Sequence, residues 1–239
     1  MSSRKSLGIF LLALVTLIPS LTLAASAAQL QAIRDNSVRA ATQMMMFVAL
    51  DKAGERRQAA LNAIASIDTA MAELNDPALT ARWQTTRAAL TQDPYEKGAI
   101  NQLSLYSWEN EVIPFVLELD QRMPRDTTRV KKDLYDLAAR MQLMMMIYLR
   151  NSADPLGGSN YTGVNSDKDL AKLAADFSLR LNELIAKNPA LKPPLSKVTA
   201  KWAFLSNRIT DLQQTNVPFI TDLYGRQIID SLLATANAK

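Results

Sequence analysis

Few kinds of side chain in this protein can do chemistry. Its 239 residues include no histidine and no cysteine. That excludes Cys/His metal sites, Ser-His-Asp triads, Cys-His dyads, disulfides and the CxxCH attachment of haem. It also excludes the carboxylate di-iron pattern of helical bundles, which needs Glu-x-x-His. Carboxylates remain. Glu109 and Glu111 stand two positions apart, which on a helix turns them to different sides. Glu118 can share a face with Glu111, but no residue pattern around them marks a substrate pocket. The expectation is a protein that is not an enzyme and carries no cofactor.

Methionine is the remaining metal-capable group. Two triplets, Met44-Met45-Met46 and Met144-Met145-Met146, point side chains around most of a helix. Thioethers suit Cu(I), and Met141 and Met145 could converge at a helical spacing. The competing reading is a helix buried on several sides, with methionine filling core gaps. It fits better, because Cu(I) sites want exposed methionines among polar neighbours. Arg56-Arg57 reads as a charged helix start and not an anion site, and Arg82 and Lys201 as solvated residues.

The elements that position these groups are helical. Glycine is scarce at seven residues. Apolar residues recur at steps of three and four in Leu61, Ile64, Ile67, Met71, Leu74 and in Leu195, Val198, Trp202, Leu205, Ile209, Leu212. Such stripes bury one face of an amphipathic helix. No run alternates at period two, so no sheet is expected. The helices are expected near 30–52, 55–75, 77–91, 94–122, 127–150, 167–187, 193–214 and 216–235. Asp76-Pro77 and Asp93-Pro94 read as N-caps followed by proline, and Ser166-Asp167-Lys168-Asp169 as a capping box. Asn151 to Asn165 reads as a loop.

The N-terminus sets the expected compartment. Arg4 and Lys5 precede an apolar run from Leu7 to Leu23, and small residues follow. This is the order of a secretory signal, with Ala25-Ser26-Ala27 as the cleavage site and Thr22-Leu23-Ala24 as a second candidate; the alternative is an uncleaved membrane anchor. The expected location is periplasmic or secreted. The net charge is +4, of which Arg4 and Lys5 account for two, leaving +2 dispersed along the rest. Nucleic acid is not an expected partner.

Three local patterns occur twice, in the same order. Gln43 to Leu50 resembles Gln142 to Leu149. Leu79-Thr80-Ala81-Arg82-Trp83 resembles Val198-Thr199-Ala200-Lys201-Trp202. Val112-Ile113-Pro114-Phe115 resembles Asn216-Val217-Pro218-Phe219. The expected fold is all-α, with two tandem antiparallel four-helix units after a cleaved signal peptide. The expected boundaries are 1–27 for the signal, 28–123 for the first unit and 124–239 for the second.

The segment Arg39 to Leu50 resembles the first-helix signature of the PilJ/NarX-type N-terminal sensory domain, which runs approximately R-M-L-S-Q-R-M-A-K-A-Y-L. Arg39, Gln43, Met45 and Leu50 match it, with Thr42 at its serine and Met44 at its second arginine. In the second copy Gln142, Met144, Tyr148 and Leu149 match, with Ala138 at the arginine position and Arg140 nearby. Ala81-Arg82-Trp83 to Arg87 is similar to the family's later W-x-x-[FY]-R helix. The family's domains lie between two transmembrane helices and can present arginine to a small anion between subunits. The resemblance therefore implies a detached, duplicated sensory module, with Arg39, Gln43, Arg140 and Gln142 as ligand-binding candidates and a homodimer as one assembly.

Two functions follow as expectations. The first is a soluble periplasmic binding or sensory module for a small anion, another metabolite or a membrane-bound receptor. It requires Arg39 to face a cleft or an interface. The second is a structural or protein-interaction scaffold of the cell envelope, with no small ligand.

Overall fold

The computed structural model describes residues 26–50, 52–124, 128–154, 166–210 and 217–238. Among them are eight α-helices: α1 (Ala27–Ala49), α2 (Gly54–Leu74), α3 (Pro77–Thr91), α4 (Gln102–Gln121), α5 (Arg129–Ala153), α6 (Ser166–Lys187), α7 (Lys192–Thr210) and α8 (Pro218–Asn237). The fold is all-α; the other elements among the described residues are a two-stranded hairpin, β1 (Tyr95–Glu96) and β2 (Ala99–Ile100), and a 3-10 turn at Pro189–Leu191. The signal expected over residues 1–27 lies almost wholly outside the described residues.

Local chemistry explains most helix ends. The Ser26 side chain accepts from Gln29 N at 3.1 Å and caps α1. Asp76 accepts from Leu79 N at 2.9 Å and caps α3, with Pro77 in the first turn. Asn75 ends α2 in the left-handed conformation at φ 51°.

Two expected boundaries are corrected. The helix expected from residue 94 begins at Gln102. Asp93 accepts from Tyr95 N at 3.0 Å and forms a turn instead of a helix cap. Lys97 and Gly98 then take φ of 51° and 85°, the positive pair that closes a two-residue hairpin. The hairpin is held by Tyr95, whose ring meets Phe47 edge-on at 5.9 Å. The second correction concerns α5, which runs on to Ala153 through the start of the expected loop. A polar cluster against α4 holds that last turn. Arg150 pairs with Glu109, and Asp154 accepts from Gln102 Nε2 at 2.9 Å and Tyr106 Oη at 3.1 Å. Burial raises the Glu109 carboxyl above its usual range, with Arg150 opposing that shift.

Helices α1 and α5, which carry the methionine triplets, form the centre. Each packs on the other; α1 also meets α2 and α4, and α5 also meets α6 and α8. All six triplet methionines are buried in one hydrophobic core that runs through both halves of the chain. The halves are thus joined along α1 and α5. Helix α8 runs antiparallel to α5. Tyr148 Oη accepts from Val217 N at 2.8 Å near one end, and Tyr135 Oη donates to Asn237 at 2.8 Å near the other. Between these ties, Gly225 gives Met145 room: a Cβ there would lie 2.3 Å from the methionine sulfur.

Candidate ligand sites

Helix α1 places Arg39 and Gln43 one turn apart on the side facing α2 and α8. There they line a groove of about 470 Å³ together with Arg56, Phe219, Asp222 and Arg226. The groove is organised around Asp222, which is 3% exposed. Gln43 Nε2 donates to its Oδ1 at 3.2 Å. Arg56 Nη1 donates to its Oδ2 at 2.8 Å and also to Gln43 Oε1 at 3.1 Å. Arg226 Nε donates to its Oδ1 at 2.6 Å, and Arg226 Nη2 to Thr42 Oγ1 at 3.3 Å. A carboxylate this buried needs such company, because an unpaired buried charge is strongly destabilising. The groove nonetheless keeps an excess of positive charge, since three arginines and one carboxylate line it. Each guanidinium has five N–H donors, more than these contacts use. Arg39 is the most exposed of the three arginines, and its Nη2 lies 3.4 Å from Asp35 Oδ2.

The second pair of candidates lies elsewhere. Arg140 and Gln142 line a cavity of about 350 Å³ between α1, α4, α5 and α6. Most of its wall is apolar, and Arg34 and Asp136 complete its polar part. Arg34 Nη1 donates to Asp120 Oδ1 at 2.6 Å, and Arg140 pairs with Asp176. Burial pushes the Arg34 guanidinium below its ordinary value and the Asp120 carboxyl above its own, while each partner opposes the other's shift. Arg34 Nε, Arg140 Nε and Gln142 Oε1 are buried without a hydrogen-bond partner among the described residues.

Asp35 links the two places. It accepts from Gln142 Nε2 at 2.8 Å on α5 and from Arg39 one turn along α1. The four sequence candidates thus divide into two pairs, joined by one carboxylate that sequence reasoning did not single out.

Asp222, Arg226 and Arg34 also escaped that reasoning, which rejects Arg56 as an anion site. Arg56 is a groove residue and not merely a charged helix start. A signal for Asp222 and Arg226 did exist. They stand four apart after Pro218, and Glu118 and Arg122 stand four apart at the same distances after Pro114. Arg82, expected to be solvated, pairs instead with Glu111 at 3.1 Å and approaches Glu118 at 3.9 Å. Glu111 and Glu118 do share a face, and it is occupied by this arginine.

A wider groove of about 560 Å³ lies between α2 and α3. Its Asp68 accepts from Trp83 Nε1 at 2.7 Å and Arg87 Nε at 3.0 Å, so this carboxylate is already engaged within the fold. Compared with protein-family models, curated proteins and solved structures, the chain matches none of them.

Proposed function

We propose that this protein is a helical-bundle binding module that takes a small anion in the groove lined by Arg39, Gln43, Arg56 and Arg226. The observation that carries this reading is the gathering of three arginines, from α1, α2 and α8, along one groove, with two of them paired to the buried Asp222. Guanidinium forks suit carboxylate, nitrate and phosphate oxygens, and Asp222 fixes two of them in place before any ligand arrives. Arg39 and Gln43 are also the residues that the likeness to the PilJ/NarX-type domain singles out. Together these support a detached sensory module that passes its occupancy to a membrane-bound receptor.

The order of residues 1–27 supports export. Among the described residues no helix is long and apolar enough to cross a membrane. The α1 cap bears on processing. Cleavage after Ala24 keeps Ser26 at the head of α1, whereas cleavage after Ala27 removes it, and the cap favours the first. N-terminal sequencing of the exported chain separates the two.

The binding reading is tested by a thermal-shift screen against small inorganic and organic anions. A ligand that binds only the folded chain raises the melting temperature. At least one anion should do so with the natural protein and fail with Arg39→Gln and Arg56→Gln. A second reading, an envelope scaffold, draws on apolar exposure along α7 and α8, where Phe204, Phe219 and Leu223 are 39%, 51% and 40% exposed. A flat screen together with capture of a specific envelope partner would replace the binding reading with this one.

A further inference from the structure

The cavity between α1, α4, α5 and α6 has a composition unlike that of the arginine groove. Val112 and Val116 of α4, Leu143 and Met146 of α5, and Leu173 of α6 make its walls apolar. Several of these side chains are not sealed into the core. Val116, Leu143 and Leu173 are only partly buried, and Leu117 beside them is 54% exposed. An open apolar cavity of about 350 Å³ falls in the size range of small-molecule sites, where a few polar groups fix orientation and apolar walls supply contact.

Its polar groups are chemically one-sided. Two arginines and one aspartate line it, and Arg34 Nε and Arg140 Nε are buried donors without a hydrogen-bond partner among the described residues. The two arginines hold their partners outside the lining set, Asp120 for Arg34 and Asp176 for Arg140. Both of those carboxylates are about a third exposed, which leaves each ion pair able to admit a competing anion.

We propose that this cavity binds a free amphipathic carboxylate of medium length, with its apolar body against Val112, Val116 and Leu143 and its carboxylate at Arg34 and Arg140. A purely polar anion has nothing to gain from the walls. A neutral apolar molecule leaves the two guanidinium groups unused. The site is distinct from the arginine groove and stands or falls separately from it.

The test uses the whole purified protein with decanoate and decanol as probes, read by calorimetry and melting temperature. Decanoate should bind and raise the melting temperature, and decanol should bind at least about tenfold more weakly, the worth of a charge-assisted hydrogen bond. Arg140→Gln should bring decanoate down to the level of decanol. Leu143→Trp should fill the cavity and abolish binding; Leu173→Trp does the same from α6 should the first variant not fold. Arg56→Gln, which touches Gln43 and Asp222 but neither Asp35 nor Gln142, should leave decanoate binding unchanged, which separates this site from the groove. Absence of decanoate binding, equal binding of decanol, or binding that survives a folded tryptophan variant overturns the proposal. The chain should also stay in the supernatant with phosphatidylglycerol vesicles. Co-sedimentation abolished by Leu143→Trp would overturn the assignment to a free carboxylate in favour of a bilayer lipid.

Discussion

Helices α4 and α8 carry one local pattern and use it in two ways. Pro114 is followed by Phe115, Glu118 and Arg122, and Pro218 by Phe219, Asp222 and Arg226, at identical spacing. In α4 the proline lies inside the helix, where it removes a backbone hydrogen bond. In α8 it is the first helical residue, where its missing N–H costs nothing. Phe115 is fully buried, with its ring 5.4 Å from that of Trp83. Phe219 is half exposed and faces Arg56 at 5.8 Å. Glu118 lies in a partly exposed network with Arg82 and Arg122, whereas Asp222 is buried between Arg56 and Arg226. A helix fixes which of its own residues share a face. The neighbouring helix decides whether that face meets water, a ring or a second arginine.

The largest test of this contrast is at the phenylalanines. Phe115→Ala should cost about 3–5 kcal/mol of folding stability by denaturant titration, as expected for a fully buried ring. Phe219→Ala should cost under about 1 kcal/mol. Equal costs would remove the distinction between the two helices.

Next come the acids. Asp222→Ala leaves Arg56, Arg226 and Gln43 facing a void, and should cost about 2–4 kcal/mol. The two arginines can still reach water, which keeps the loss below that of a sealed pair. Glu118→Ala should cost under about 1 kcal/mol, the ordinary worth of an exposed ion pair.

A smaller effect distinguishes Gly225 from Gln121, its counterpart by spacing on α4. Gly225→Ala gains about 1 kcal/mol of helix propensity but forces the buried Met145 to move, an overpacking cost of about 1–3 kcal/mol. The melting temperature should fall by a few degrees. Gln121→Ala, on an exposed position, should change it little. A rise in melting temperature for Gly225→Ala would mean that α8 does not press on α5 as closely as described.

The smallest expected effect is in pH dependence, and its sign differs between the halves. The Asp76 carboxyl is held below its ordinary 3.8 first by the Leu79 N–H and then by Arg122. Its stabilisation is therefore complete above that value and lost as pH falls through the lower folded value. Asp76→Asn, still a good cap, should flatten the acid end of the stability profile. Burial raises the Asp230 carboxyl on α8, with Asp35 adding to the rise. Its ionisation in the folded state is a cost that disappears as pH falls, so Asp230→Asn should stabilise the protein slightly near neutral pH. Melting curves across the acid range measure both.

Much of the helical frame was legible without coordinates. The three-and-four spacing of Leu195, Val198, Trp202, Leu205 and Ile209 put all five on the buried side of α7. The methionine triplets marked the two central helices, because only a helix surrounded by others can bury consecutive positions. The hairpin after Asp93 was not legible. Asp-Pro opens helices and turns alike, and the positive φ of Lys97 and Gly98 is a property of the closed turn. The last turn of α5 was equally hidden, since Asn151 and Asp154 look like loop residues until Gln102 and Tyr106 of α4 meet them.

For the candidate sites the division is sharper. Residue types alone excluded histidine and cysteine chemistry, and a resemblance to a known first-helix pattern singled out Arg39, Gln43, Arg140 and Gln142 on the two central helices. Only the tertiary structure separated these into a charged groove and an apolar cavity, joined them through Asp35, and brought Arg56 and Asp222 to one point from positions 166 residues apart. The physical reason is range. Helix formation and facing are set by neighbours three and four residues away. A binding surface is set by which side chains meet once distant helices share a core.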